Sequence, residues 1–141
     1  MLDIVVTTPK KLARAAEEEA RRCIEAGGGF YSRTFRIIPR RLDAGSRIYY
    51  VEHPYIRGYG TVSEIDNSEG YRAIMPANEW KWVRPIEMKG FRGWMYFDIP
   101  RNRMEIVGGW LDPKPGPEKY GRLQYVKKKG GSGFLSEPFD W

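Results

Sequence analysis

The chain has one cysteine, Cys23, and one histidine, His53, in 141 residues. A lone thiol closes no internal disulfide, which fits a reducing, intracellular setting, and a cytoplasmic location is expected. One His and one Cys do not make a structural zinc site within one chain. No metal and no cofactor are expected. No apolar run approaches the ~20 residues that span a bilayer, so no membrane partner is expected. Asp3 stands before the first apolar run and no small-residue cleavage site follows a long apolar core, so no secretory signal is expected. A phosphate loop of the form G-x-x-x-x-G-K-[ST] is missing. Gly27-Gly-Gly29 follows a predicted helix, where it ends the helix and cradles nothing. There is no internal repeat.

What remains is basic and aromatic. Hydrophobic residues make up 41% of the chain, aromatic residues 14%, and the net charge is +6. The length suits one domain with its own core. The charge is uneven: residues 1–30 are neutral, 31–60 carry +4 and 61–141 carry +2. An excess of this sign suits a polyanionic partner, nucleic acid above all, or a basic surface kept for solubility.

Ile4–Thr8 reads as a short buried strand. Thr8 and Pro9 then open a helix over 9–26, whose buried stripe is Leu12, Ala16, Ala20, Cys23 and Ile24. Strands follow at Phe30–Ile38, Arg47–Glu52, Ile56–Ile65, Tyr71–Met75, Trp94–Ile99, Met104–Leu111 and Gly121–Val126. Pro76–Gly90 reads as irregular, and Asp112–Pro117 as a rigid, linker-like loop. The pattern predicts an α+β, mainly β domain over 1–126. It is a closed or partly open barrel of antiparallel neighbours with the N-terminal helix packed on it. A flexible or docking tail follows over 127–141.

The most informative stretch is the hairpin from Arg47 to Ile65. Gly58 and Gly60, two apart, strip one strand face of side chains, which implies a bend, a bulge, or a backbone or ring lying close. Tyr55, Arg57 and Tyr59 at spacing two are expected to share the other face, as a platform on which unpaired bases stack or as ordinary cross-strand packing.

Gly45–Val51 followed by Gly58–Val62 resembles the PUA-like superfamily, and most closely its ASCH branch, over roughly fifty residues when the strand ending at Met75 is included. The resemblance implies a PUA-like pseudo-barrel that binds RNA or a modified nucleobase in a cleft beside the barrel. It also brings in a small hydrolase, a ribonuclease or a nucleoside amidohydrolase, as an alternative. The ASCH enzymes carry a G-x-K-x-x-E-x-R element. The matching region here, Gly29–Arg36, has neither the Lys nor the Glu, so the lysine of that chemistry has no place to sit.

Candidate residues follow from these patterns. Arg33, Arg36, Arg40, Arg41 and Lys89 are the phosphate contacts, with Arg92 beside Lys89. Tyr55, Tyr59, Trp80 and Trp82 are the stacking groups, the tryptophans either sandwiching a flipped base or plugging the end of the core. His53, beside Pro54 at the hairpin tip, is the one general acid–base if the protein is an enzyme. A protein-interaction module with incidental basic charge is the third functional class.

Overall fold

Ile4, Val5 and Val6 are three consecutive apolar residues, and all three are completely buried. A strand apolar on both faces belongs inside a sheet covered on both sides, and that is where this one lies. The computed structural model describes residues 2–8, 22, 25, 29–89, 91–127 and 133–137. Among them the chain forms strands β1 (Asp3–Thr8), β2 (Phe30–Phe35), β3 (Arg47–Glu52), β4 (Tyr55–Thr61), β5 (Glu64–Asp66) and β6 (Tyr71–Pro76). It continues with β7 (Lys81–Glu87), β8 (Trp94–Phe97), β9 (Ile106–Gly109), β10 (Gln124–Lys127) and β11 (Gly133–Ser136). The predicted helix over 9–26 lies outside the described residues, apart from Arg22 and Glu25, which are exposed. Cys23 is outside them too.

The fold is mainly β, as predicted. The large sheet runs β11-β10-β7-β4-β3-β1-β8 with β9 also on β7, and a small sheet runs β2-β6-β5. The large sheet curls into a half-barrel that brings its two ends together. Phe97 on β8 meets Tyr125 on β10, the Tyr125 hydroxyl donates to Asp98, and Gly133 N donates to Asp98 at 2.8 Å. Tyr49, Val51, Ile56, Tyr59, Val83, Ile86 and Phe97 fill the inside of the curl. The outer face of β1 and β3, with Ile4, Val6 and Ile48, packs on Phe35, Ala73 and Met75 of the small sheet.

Four expectations change. The neighbours are not all antiparallel: β1 pairs with β3 in parallel, which the long connection through residues 9–46 permits. The predicted strand Ile56–Ile65 is two strands in two sheets. It breaks at Val62-Ser63, where Val62 N donates to Ser46 O and Ser63 N to Ile74 O. The segment 76–90 is not irregular, because β7 occupies its middle. The proline-rich segment 112–117 is no linker, as it straps the outer face of the large sheet. For the tail, 133–136 docks on β10 and Leu135 packs on the core.

The turn between β5 and β6 has a checkable electrostatic signature. The Asp66 carboxylate accepts from Ser68 N at 2.9 Å and from Arg72 Nη2 at 2.7 Å. The Ser68 hydrogen bonds, and after them Arg72, hold its pKa down at about 2, against an ordinary 3.8. A depressed carboxyl stabilises the fold above its unfolded pKa and loses that contribution as pH falls through its folded one. NMR titration is expected to place the Asp66 midpoint near 2, and Arg72→Gln to move it upward. A midpoint at the ordinary value would contradict the turn geometry.

Candidate nucleic-acid interface

The bare face of β4 is covered by rings. Tyr50 on β3 lies opposite Gly58, and Ile48 opposite Gly60. A Cβ on Gly58 would come within 2.5 Å of Trp80 Cζ2, and one on Gly60 would run into the Tyr31 hydroxyl. Both glycines are therefore required by close approach, and the rings that approach are Trp80 and Tyr31. Around them an aromatic band forms at the seam between the two sheets. Trp80 contacts Tyr50 with ring centres 5.5 Å apart, Trp82 at 5.3 Å and Trp110 at 6.2 Å. All four rings are only partly buried.

Three polar atoms in this band are buried and reach no acceptor among the described residues: the Tyr31 hydroxyl, Trp80 Nε1 and Trp110 Nε1. Buried donors normally find a partner in protein or ordered water, and each exception calls for an explanation. Burial raises the phenol pKa of Tyr31, with Tyr50 adding to it, and burial raises that of Tyr50, against which Arg33 pulls down. Both phenols therefore stay protonated at neutral pH. The Tyr50 hydroxyl donates to Met75 Sδ, a weak acceptor, at 3.8 Å. Arg33 alternates with Tyr31 and Phe35 on the inward face of β2, its guanidinium 6.0 Å from the Phe35 ring. It forms no ion pair among the described residues.

The strap bounds the band on its other side. Trp82 Nε1 donates to Asp112 O at 3.1 Å, Gly109 N to Asp112 Oδ2 at 2.6 Å and Arg57 Nη1 to Pro115 O at 2.7 Å, while Lys114 pairs with Glu52. The 110–116 segment is thus tied to β7, β3 and β4.

The structure brings together Arg33, Trp80 and Trp82 of the predicted residues and adds Tyr31, Tyr50 and Trp110. It keeps the others apart. Arg57 stacks over Tyr55 at 5.2 Å, as expected, but beneath the strap. Tyr59 does not share their face. It is 3% exposed, inside the curl, with Tyr49 at 5.2 Å and Arg47 over its ring at 4.2 Å. A bulge between Ile56 and Gly58 inserts one residue and reverses the alternation beyond it. The base sandwich between Trp80 and Trp82 is also corrected. Their planes meet at 84°, edge to face, so no slot for a third ring lies between them.

Arg36, Arg40 and Arg41 are exposed on the loop after β2, and Lys89 and Arg92 on the loop after β7. His53 is exposed at the hairpin tip, and no described side chain is hydrogen-bonded to it. Tyr50 was open to sequence reasoning through the strand register, since it faces the glycine gap. Trp110 carried a weaker signal, two glycines before it in β9. Among the described residues no three His, Cys, Asp or Glu side chains gather to hold a metal ion, and no helix is long and apolar enough to cross a membrane. Compared with known proteins, no family model, no curated protein and no solved structure matches the chain.

Proposed function

We propose that this protein is a PUA-like, ASCH-like domain that binds single-stranded RNA or a modified base within it, in the cytoplasm. One observation carries this reading: among the described residues, the partly exposed aromatic band around Gly58 and Gly60 holds three buried donors without acceptors and lies beside Arg33, which forms no ion pair there. A nucleobase offers what the band lacks, namely a flat π face for a tryptophan and ring nitrogens or carbonyl oxygens for the N–H and O–H groups. Because Trp80 and Trp82 meet edge to face, the base stacks on an outer ring face. Arg33 neutralises the adjoining phosphate, and the exposed Arg36, Arg40 and Arg41 take the strand onward.

Neutralising about four phosphates implies that affinity falls with salt at a log–log slope near −3 for a single strand. Fluorescence anisotropy of a labelled RNA oligomer between roughly 50 and 200 mM salt measures it. A flat response would count against the electrostatic part of the reading. Arg36→Ala is expected to lower the slope in magnitude by about 0.7.

A further inference from the structure

β7 changes partner along its length. Lys81 to Val83 pair with β9, and Glu87 pairs with Gln124 of β10. Between these stretches stands Pro85, which has no N–H for a neighbouring strand to accept. Arg84 N donates instead to Glu105 O at 2.8 Å, and Glu87 N to Leu123 O at 2.7 Å. β9 and β10 therefore diverge beside Arg84. Where the segments leading into them part lies an open cavity of about 560 Å³, with Arg84, Arg103, Glu105 and Glu137 in its wall and Leu123 and Leu135 as its apolar side. That volume lies within the range of ~300–1,000 Å³ typical of small-molecule sites.

We propose that this cavity binds a small oxyanion, a carboxylate or phosphate carried on an apolar body, and that Glu137 holds the anion position from within the chain. Arg84 is the anchor. Its side chain is 20% exposed and its Nη1 meets Glu137 Oε1 at 2.9 Å. Its Nη2 reaches Gly121 O only at 3.4 Å, and its Nε is buried with no acceptor among the described residues. A guanidinium presents five donors in a planar fork that matches two oxygens in parallel. Glu137 serves it through one contact.

Glu137 is also easily displaced. Its side chain is 68% exposed, and an ion pair open to water on one side holds weakly. It follows β11 directly, so its side chain can leave without breaking a strand. Once it has left, Arg84 and Arg103 outnumber Glu105 and the cavity favours an anion. Leu123 and Leu135 select one with an apolar body. This site is separate from the aromatic band and does not rest on the RNA reading.

The test is an NMR titration of the full chain at millimolar concentrations of phenyl phosphate, of benzoate and of uncharged phenol. Saturable shifts are expected at residues 102–105 and 121–123 with an oxyanion and not with phenol, and the two anions together show whether phosphate or carboxylate is preferred. Glu137→Gln, which removes the internal competitor, is expected to tighten binding about fivefold. Arg84→Lys is expected to weaken it about tenfold, because an ammonium does not take two oxygens in parallel. Should that variant fail to fold, Glu137→Gln decides alone. Equal affinity in the wild-type chain and Glu137→Gln would overturn the proposal. So would the same shifts with phenol, or no binding of either anion by Glu137→Gln.

Discussion

Trp80→Ala is expected to cost about 3 kcal/mol of folding stability and to weaken RNA binding by ~1–3 kcal/mol where the variant still folds. The stability loss comes from packing. The Trp80 ring touches Tyr50, Trp82 and Trp110 and lies on the bare backbone of Gly58. With no Cβ at Gly58 to fill the space, little can collapse into the gap. The figure sits at the low end for emptying an aromatic site because the ring is only partly buried. The binding loss comes from the lost stacking face. Trp80→Phe separates the two contributions. It keeps a ring in place and removes the buried Nε1–H that has no acceptor among the described residues. Stability is then expected to change by less than about 1.5 kcal/mol. Affinity is expected to fall by ~1 kcal/mol if a base accepts from that donor. Chemical denaturation and anisotropy on the same two variants give both numbers. Unchanged RNA affinity in folded Trp80→Ala would remove the band from the binding surface and leave it as a plug between the sheets.

Gly60→Val is expected to destabilise by about 3 kcal/mol, at the upper end for overpacking a close contact. A Cβ at residue 60 would run into the Tyr31 hydroxyl, with Met75 Sδ at 2.9 Å and Tyr31 Cζ at 3.0 Å behind it. The clash is with the end of a ring, and this allows a rescue. Tyr31→Phe removes the nearest atom. By itself it is expected to be neutral or slightly stabilising, because that hydroxyl is buried without a partner among the described residues. Combined with the smaller Gly60→Ala it is expected to recover ~1 kcal/mol or more as a favourable coupling. Additive effects of the two substitutions in thermal or chemical unfolding would show that Tyr31 does not lie over Gly60. The pair bears on function as well, because Tyr31 supplies one of the three unpartnered donors. Tyr31→Phe that stabilises the fold while lowering RNA affinity would mark the hydroxyl as a ligand contact.

Much of the frame was legible in local patterns. The strand predicted over Phe30–Ile38 contains β2, in which Arg33 and Phe35 turn inward. Three apolar residues in a row marked β1 as buried on both sides. Two glycines at spacing two marked the place where rings press on backbone. The errors share one cause. Tyr59 was assigned to the face of Arg57 because alternation was counted through a bulge. A bulge belongs to the pairing of β4 with β3 and β7, and the glycines of β4 admit one without fixing where it falls. Segment 76–90 read as irregular, yet its Pro85 stands where β7 passes from β9 to β10, the point at which a strand needs no donor.

One cysteine, one histidine, a positive stretch over 31–60 and a mainly β architecture follow from composition and local periodicity, which need only the chain's own neighbours along the sequence. The curl that joins Phe97 to Tyr125, the strap that ties Arg57 to Pro115, and the gathering of Tyr31, Tyr50, Trp80 and Trp110 at one seam depend on pairings across tens of residues. Each such contact carries the entropy of closing a long loop and forms only because many others form with it. No single stretch of the chain records where they meet, and the candidate site is made of them.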